Sequence, residues 1–406
     1  MSVEGKAAGV DMDAARGDLR LGVYVQVPFC QTKCTYCNFH TGVVAAGRFA
    51  PYVEAVCKEI REHREFYQAA GVALPLGFDK AVVDTVYFGG GTPSLLEPEL
   101  LGRMMGAVRE TFETELSEVT LEADPETVTS EKAAAWLAAG INRVSFGVQS
   151  FSDRELAAAG RMHRRADIYR AAEILREAGI RNISFDLIAG LPWQTDESWR
   201  ESLEELGKLA PEHVSVYLLE VDEGSRLGLE ILQSGTRYSA GAVPGDDAMA
   251  EFYEAACAFL EERGYHHYEI SNWAQPGFAS RHNLKYWRRE PYLGFGAGVH
   301  SFSGTQRWAN AHDAAAYVAA ISAGKLPVEQ VESVTRESAL EEELFLGLRQ
   351  LDGIDLGRIE REYGISLANR FEGLESAGLI KRDGRIVRLA PARLSVSNEV
   401  FVELMK

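Results

Sequence analysis

The sequence lacks long hydrophobic runs, and it lacks the basic residues that would balance its acidic ones. No apolar stretch approaches the roughly 20 residues that a membrane-spanning helix needs, so we expect no stable membrane insertion. The 406 residues include 42 Lys and Arg against 60 Asp and Glu, which gives a formal charge of −18. Because nucleic acids and anionic lipids repel an acidic protein, the composition predicts small-molecule or protein partners and no nucleic acid.

Cysteine is also scarce, and its distribution excludes a disulfide framework. Two of the five cysteines, Cys57 and Cys257, stand alone in segments with a helical pattern. Secreted disulfide proteins instead carry cysteines in even numbers along the chain. Residues 1–20 lack the apolar core of a signal peptide and are predicted to form a mobile tail. These features predict a cytoplasmic protein.

Six short β-rich runs alternate with helical segments through the first half of the chain. The predicted strands are 22–27, 82–88, 117–122, 142–148, 182–188 and 213–219. The predicted helices are 50–70, 97–113, 130–139, 165–178 and 196–208, with Gly140 and Gly179 as helix stops. This alternation implies an α/β fold with a parallel sheet and right-handed crossovers. Six units fit either a partial (β/α)6 barrel or an open doubly wound sheet.

Polar and glycine-rich residues recur where the predicted strands end. The cysteines follow the first strand and "GGGTPS" follows the second, while Glu122, Gln149, Asp186 and Tyr217 lie in or at the ends of the next four. Ligands of parallel α/β folds bind at this edge of the sheet. So many groups at one rim favour a partial barrel, for which we predict residues 21–235.

Two further regions follow the predicted barrel. Residues 236–330 form a predicted α+β accessory region in which a helix runs to about residue 263 and "YHHYEISNWA" is a strand. Residues 331–406 show three helices and a hairpin at Asp383-Gly384, the outline of a winged helix. Residues 336–406 contain 11 basic and 13 acidic residues, and the predicted recognition helix 366–377 has no basic stripe. We therefore predict a lid or protein-docking domain and not a DNA reader.

The stretch "YVQVPFCQTKCTYCNFH", residues 24–40, gathers the other three cysteines as CxxxCxxC. A zinc site would need a fourth ligand, such as His40. A redox pair within "CTYC" would leave Cys30 unexplained. A 4Fe-4S cluster could take Cys30, Cys34 and Cys37 as ligands and keep one iron open. The spacing alone leaves the cluster and zinc as the main alternatives.

This stretch resembles the signature of radical S-adenosylmethionine (SAM) enzymes. The similarity covers nearly the whole chain and lies in the branch that contains oxygen-independent coproporphyrinogen oxidase and HemW-type heme chaperones. The resemblance implies that the open iron is chelated by the amino and carboxylate groups of SAM. It also implies that an electron from the cluster, supplied by a flavodoxin- or ferredoxin-type donor, cleaves SAM to a 5'-deoxyadenosyl radical.

Other motifs fit around that cofactor. "GGGTP", residues 89–93, offers backbone N–H groups that no side chain obstructs, and Glu122 could accept a hydrogen bond from the amino group or ribose. Each such residue, taken alone, is better explained as a structural or surface residue. The resemblance implies cofactor contacts for a set that agrees with the family in order and spacing: Tyr24, Tyr36, Gly90, Gly91, Thr92, Glu122, Gln149, Arg161 and Asp186.

Two departures from the oxidase pattern bear on function. Oxidases of this branch carry a further cysteine two residues after the third, where this chain has Phe39. The first predicted strand begins near residue 22, which leaves no room for the longer amino-terminal arm of the oxidases. Both features resemble the chaperone-like relatives, so coproporphyrinogen oxidase activity is not expected.

The segment "RHNLKYW", residues 281–287, resembles the HNxxYW motif of those relatives. A neutral imidazole at His282 could ligate heme iron, and Tyr286 and Trp287 offer aromatic faces to the macrocycle. The structural alternative is a turn at His282-Asn283 with core aromatics, and the resemblance favours heme.

The sequence therefore predicts a heme chaperone that binds a 4Fe-4S cluster, SAM and heme and delivers heme to an acceptor protein. One alternative is a catalytic radical SAM enzyme, either an oxidative decarboxylase of a porphyrinogen or a methyltransferase. A zinc-stabilised DNA regulator is the other.

Overall fold

The structure, a computed structural model, describes residues 19–325 and 328–405. The predicted mobile tail, up to residue 18, lies outside the described residues, as do 326, 327 and 406. The first strand begins at Arg20. Within the described ranges, no helix combines the length and the hydropathy that crossing a bilayer requires.

Six parallel strands form the centre of the sheet and lie side by side in chain order. They are β1 Arg20–Val27, β2 Val82–Gly90, β3 Glu113–Ala123, β4 Arg143–Gln149, β5 Asn182–Ala189 and β6 His213–Leu218. A doubly wound sheet would reverse its strand order partway, and this sheet does not. Its outer neighbours differ at the two ends, so the sheet is not closed. The predicted partial barrel is confirmed.

Helices follow these strands on the outer face of the barrel. They are α1 Phe49–Arg61, α2 His63–Ala69, α3 Pro98–Thr111, α4 Ser130–Ala139, α5 Asp153–Ala158, α6 Arg165–Ala178 and α7 Asp196–Leu209. The predicted helix 50–70 is interrupted at Glu62, where the backbone leaves the helical region. Gly140 and Gly179 end α4 and α6 with φ of 98° and 97°, as predicted, because glycine enters the left-handed region without steric cost.

Alternation along β1 shows how the two faces of the sheet differ. Val23, Val25 and Val27 are fully buried in the hydrophobic core. The intervening Tyr24 and Gln26 are joined by a hydrogen bond from the tyrosine hydroxyl to the amide oxygen, 3.0 Å long. Since successive side chains point to opposite faces, the inner face of the barrel is polar while the outer face packs against helices.

The accessory strands extend the same sheet beyond both ends of the barrel. Two short antiparallel strands, β7 His266–Glu269 and β8 Asn272–Ala274, follow β6 in the sheet: β8 pairs with β6, and β7 pairs with β8. The single strand predicted for 265–274 is therefore a hairpin. Beyond β1 lie β9 Tyr292–Phe295, β10 His300–Phe302, β11 Gln306–Asn310 and β12 Val328–Ser333. The helix α8 Arg226–Leu232 precedes this region, whose own helices are α9 Asp246–Glu262, α10 Arg281–Trp287 and α11 Ala314–Ser322.

The carboxyl-terminal region contains the predicted three helices and hairpin. Its elements are α12 Arg336–Arg349, β13 Ile354–Asp355, α13 Leu356–Tyr363, α14 Ala368–Ser376, β14 Ile380–Asp383, β15 Ile386–Leu389, a 3-10 helix Pro391–Val396 and α15 Ser397–Leu404. Leu344 and Leu348 of α12 belong to the same buried cluster as Val23 of the barrel. This packing seats the region against the barrel, and its last segment reaches the cavity described next.

Candidate cofactor-binding site

A cavity of about 510 Å³ opens at the carboxyl ends of the barrel strands. Ligand sites commonly have volumes of roughly 300–1,000 Å³, so the cavity is large enough for a cofactor. Its walls include every predicted site residue except Tyr24 and His282. The predicted residues that line it are Cys30, Cys34, Tyr36, Cys37, Gly90, Gly91, Thr92, Glu122, Gln149, Arg161 and Asp186.

The cysteine loop is held by backbone hydrogen bonds to three different parts of the chain. The N–H of Cys30 donates to the carbonyl of Gly42 at 3.0 Å, and the N–H of Thr35 donates to that of Ala159 at 3.0 Å. The N–H of Leu227 donates to Thr35 at 2.7 Å. None of the five cysteines is in a disulfide. The loop therefore presents three free thiols along one wall of the cavity.

The three thiols fit a cluster better than a single ion. Among residues 19–325 and 328–405, no three His, Cys, Asp or Glu side chains are placed to hold one metal ion. In a 4Fe-4S cluster each thiolate binds a different iron, so the sulfurs need not converge on one point. His40 stacks on His312 with 4.0 Å between ring centroids, and it does not complete a zinc site. Partial burial raises the pKa of the Cys30 and Cys37 thiols, so cluster assembly must release their protons.

The glycine loop packs against the backbone that leads into the cysteines. Its N–H groups donate within the protein: Gly90 to Glu122 at 2.9 Å, Gly91 to Val27 at 2.9 Å and Thr92 to Phe29 at 2.7 Å. A Cβ on Gly91 would lie 2.4 Å from the carbonyl oxygen of Phe29. Glycine is needed because the loop touches the backbone that leads into the cysteines. These N–H groups support the site and are not free for the cofactor.

The Glu122 carboxyl has a pKa close to neutral pH. Its two oxygens accept hydrogen bonds from the Tyr87 hydroxyl and the Gly90 N–H, each 2.9 Å long. Burial, opposed by these bonds and reinforced by Asp186 and Asp124, raises the pKa of Glu122 to about 7. A cationic ligand group placed beside it would favour the ionised form.

Arg161 connects the cysteine loop to the side wall of the cavity. Its guanidinium pairs with the Asp124 carboxylate and donates to the Gly147 carbonyl at 2.9 Å and to the Cys34 sulfur at 3.5 Å. Asp124 also accepts from the Thr92 hydroxyl at 3.1 Å. Sequence reasoning missed Asp124, although it lies in the same "LEADP" motif as Glu122. Asp124 thus holds two predicted cofactor residues in place.

Gln149 and Asp186 lie on adjacent strands at the same wall. The backbone of Gln149 has φ of 64°, which is costly for a residue other than glycine and clusters at functional sites. Asp186 accepts a hydrogen bond from Ser145 at 3.1 Å, and burial raises the pKa of its carboxyl. Both side chains reach the cavity.

His282 lies outside the cavity and is not part of its lining. It is the second residue of α10, so the turn considered as the structural alternative is a helix. Nδ1 lies 2.9 Å from the Thr85 hydroxyl and Nε2 lies 2.9 Å from the Tyr286 hydroxyl. The residue is 1% exposed, and burial lowers the pKa of its imidazole to about 3. Because both ring nitrogens have partners here, this placement does not support direct ligation of heme iron by His282.

The HNLKYW motif, on α10, instead supports the cofactor site through neighbouring side chains. The His282 ring lies 5.2 Å from that of Tyr87, whose hydroxyl donates to Glu122. Tyr24 is also outside the cavity, with its ring 5.7 Å from that of Tyr87. At the other end of the helix, Trp287 packs against the guanidinium of Arg349 at 4.5 Å, and Arg349 lines the cavity. The motif therefore contacts the cavity wall indirectly: through Tyr87 and Glu122 at one end of the helix, and through Arg349 at the other.

Further cavity residues are not among the predicted cofactor contacts. Phe39, Met162 and Tyr217 line the cavity yet are 66%, 54% and 43% exposed, which gives it an apolar mouth. The carboxyl-terminal region contributes Arg349, Leu394, Ser395, Ser397 and Asn398. Their position depends on how that region packs against the barrel, which no local pattern reveals.

Comparisons with known proteins agree with this geometry. Residues 24–206 match the model of the Radical SAM superfamily, and residues 334–392 match the HemN C-terminal domain. "Heme chaperone HemW" of Bacillus subtilis is 35% identical over 384 residues, which cover 93% of this chain and 97% of that protein. The protein of the same name in Mycobacterium tuberculosis is 35% identical over 376 residues, 92% of each chain.

A solved structure shows the same fold. Coproporphyrinogen III oxidase (HemN) of Escherichia coli, a radical SAM enzyme, matches with a TM-score of 0.80 and 22% identity, covering 95% of this chain and 90% of that one. The sequence match to the HemW proteins spans nearly the full length of both partners. This chain therefore belongs to the radical SAM superfamily and, within it, to the family of the HemW proteins.

Proposed function

We propose that the protein is a heme chaperone that carries a 4Fe-4S cluster and SAM, binds heme and transfers it to an acceptor protein. The observation that carries the proposal is its full-length similarity to relatives named heme chaperones. Phe39 supports it, because it stands at the cavity mouth where the oxidases of the branch have a cysteine. The described residues keep a complete set of candidates for the cluster and for SAM.

Different residues of the chain would bind the cluster and SAM. Cys30, Cys34 and Cys37 would bind three irons of the cluster, and the fourth iron would remain open for SAM. Glu122 would accept a hydrogen bond from the amino group or ribose of SAM. The other proposed SAM contacts are Tyr36, Gly90, Gly91, Thr92, Gln149, Arg161 and Asp186. Tyr24, which lies outside the cavity, would support them through its ring contact with Tyr87. When bound, the cluster and SAM together supply one-electron chemistry at the sulfonium.

The cellular setting is part of the same proposal. Free cysteines in the described chain fit a reducing compartment, and we propose the cytoplasm. A flavodoxin- or ferredoxin-type protein would supply electrons. Residues 331–406, with a net charge of −2 over 336–406, would act as a lid or as the docking site for the heme acceptor. The divisions after residues 235 and 330 remain predictions.

The second candidate is a catalytic radical SAM enzyme, because the cavity is lined by all the predicted SAM contacts except Tyr24. Anaerobic incubation of the cluster-loaded protein with SAM and a reductant separates the two. A chaperone transfers heme to a heme-free b-type cytochrome and forms no 5'-deoxyadenosine that depends on an added porphyrinogen. Substrate-dependent 5'-deoxyadenosine and a modified porphyrinogen in mass spectra would support the enzyme instead. A variant with Cys30, Cys34 and Cys37 changed to alanine is the control for both assays.

A further inference from the structure

One part of the cavity contains none of the predicted cofactor contacts. Arg349, the last residue of α12, lines it together with polar side chains from the end of the chain. The residues from the end of the chain are Ser395, Ser397 and Asn398, and Ser271 of the β7–β8 turn also lines the cavity. The part therefore combines one cation with several neutral hydrogen-bonding groups, which is the composition of a carboxylate site.

The guanidinium of Arg349 has an N–H donor without a hydrogen-bond partner among the described residues. Its side chain is 20% exposed, one face packs on Trp287, and its single ion pair is to Glu269 at 3.5 Å. Nε is buried and has no hydrogen-bond partner among the described residues. A guanidinium carries five N–H donors, and a buried donor without a partner is unfavourable. An incoming acceptor would relieve that cost.

Glu269 only partly satisfies Arg349. One Glu269 oxygen accepts from the Ser271 N–H at 3.0 Å and from the Asn272 amide. The other, Oε2, forms the long ion pair and has no hydrogen bond in the described chain. The pair engages only Nη2 of the guanidinium, so a second carboxylate could bind the other donors from the cavity side.

The neighbouring walls of the cavity are apolar. They are formed by Ile188, Val216, Leu218, Leu219, Ile270 and Leu394. A ligand that satisfies both surfaces needs a broad apolar body with a carboxylate at its edge. Metal-free and iron-bound tetrapyrroles with propionate side chains have this form.

We propose that Arg349, with Ser395, Ser397 and Asn398, forms the subsite for a propionate carboxylate of the bound tetrapyrrole. The inference rests on the proposed function for the identity of the ligand. Trp287 is then a positioning residue, since it holds the Arg349 guanidinium through its ring. The HNLKYW motif acts on heme through this contact and not through an imidazole–iron bond.

The test compares ligands that differ only in their carboxylates. The full-length, cluster-loaded protein is titrated with heme, protoporphyrin IX, the dimethyl esters of both, and SAM. Arg349→Gln weakens binding of heme and protoporphyrin IX by about tenfold or more, since a charge-assisted hydrogen bond is lost. The esters bind the wild type and the variant equally, and SAM affinity is unchanged. Arg361→Gln, an exposed arginine of the same region outside the cavity, is the matched control.

Conservative variants keep the test valid if Arg349→Gln folds poorly. Arg349→Lys retains the charge and restores part of the affinity. The double variant Ser395→Ala and Asn398→Ala weakens the free acids by about threefold, as expected for neutral hydrogen bonds, and leaves the esters unchanged. Trp287→Leu reduces the difference between acid and ester, which a purely structural role would not do.

Each other outcome has a definite meaning. Equal losses for acid and ester, or no loss for either, overturn the carboxylate subsite. A loss of SAM affinity alone assigns Arg349 to the methionine carboxylate and also overturns it. If protoporphyrin IX binds in an Arg349-dependent way but heme does not bind, the subsite stands and the chaperone function falls. If heme binds and ignores Arg349, the function stands and the subsite falls, and if neither tetrapyrrole binds, both fall.

Discussion

Nη1 of Arg161 lies 3.5 Å from the sulfur of Cys34, one of the three thiols proposed to bind the cluster. The same guanidinium pairs with Asp124 and donates to the Gly147 carbonyl at 2.9 Å. One side chain therefore contacts both a cluster ligand and the proposed SAM wall. Hydrogen bonds to ligating sulfurs raise the reduction potential of iron–sulfur clusters.

Arg161→Lys is expected to lower the cluster's reduction potential, because a lysine cannot reach Cys34 and Asp124 together. SAM affinity should fall by about tenfold with the loss of the forked donor. Redox titration followed by electron paramagnetic resonance measures the potential, and calorimetry measures the affinity. Arg170→Lys, on the exposed face of α6, is the control. An unchanged potential in Arg161→Lys would show that the contact to Cys34 is not made in the loaded protein.

The pKa of Glu122, raised by burial to about 7, predicts that SAM affinity depends on pH. Below pH 7 the free carboxyl is protonated and is a weaker hydrogen-bond acceptor for the amino group or ribose of SAM than the carboxylate is. Affinity should therefore rise with pH, by at most about tenfold per unit below the pKa, and level off above it. Calorimetric titrations from pH 5.5 to 8 follow this change.

Glu122→Gln is the control for that prediction, since the amide has the same shape and does not titrate. Its SAM affinity should be lower than that of the wild type at pH 8 and should lose the rise around pH 7. A wild-type affinity that does not change with pH would exclude Glu122 as the partner of the amino group.

His282→Ala should act mainly on SAM. Removal of the imidazole leaves a void beside Tyr87, into which that ring and Glu122 can shift. We therefore expect SAM affinity to fall by about tenfold. Loss of two buried hydrogen bonds should lower the free energy of unfolding by about 2–4 kcal/mol. Chemical denaturation measures the stability. His266→Ala, an exposed histidine of β7 outside the cavity, is the control. Loss of the heme-induced Soret change with SAM affinity intact would instead establish His282 as an iron ligand.

Tyr317 and Glu59 make a separate, testable contribution to stability. The Tyr317 hydroxyl donates to the fully buried Glu59 carboxyl, which also accepts from Asn310 at 2.7 Å and from the Gly296 N–H at 2.8 Å. Burial raises the pKa of Glu59 from 4.5 to about 7. Since the folded-state pKa is the higher one, this group stabilises the fold below pH 4.5, and that stability is lost as the pH rises to about 7.

Tyr317→Phe should cost about 1–3 kcal/mol of unfolding free energy because a buried acceptor loses its donor. The hydroxyl favours the ionised carboxyl, so its removal should extend the loss of stability to higher pH. Urea denaturation at several pH values from 5 to 8 tests both effects, with Tyr238→Phe, outside this network, as the control. Identical pH profiles for wild type and Tyr317→Phe would show that Glu59 is not coupled to this hydroxyl.

The sequence was sufficient for the parts of the site that local patterns determine. Glu122 and Asp186 reach the cavity because strand periodicity and chain order fix the rim of a parallel barrel. The hairpin at 265–274 was predicted as one strand because its apolar pattern continues through the two-residue turn between β7 and β8.

Contacts between distant segments were not predictable in this way. Arg349 reaches the cavity only because the end of α12 packs against the β7–β8 hairpin. There the backbone carbonyl of Arg349 accepts a hydrogen bond from the Ile270 N–H at 3.1 Å. The HNLKYW motif indicated an iron ligand from its chemistry alone. Only the packing shows that Thr85 and Tyr286 already engage both nitrogens of His282.

Titration of the purified, cluster-loaded protein with heme tests the central proposal most directly. A heme chaperone should give a saturable Soret change that ends at one heme per chain, and the bound heme should move to a heme-free b-type cytochrome. The cluster-free cysteine variant shows whether the two cofactors form one mechanism. A Soret change that does not saturate, or heme that is never transferred, would contradict the proposed function.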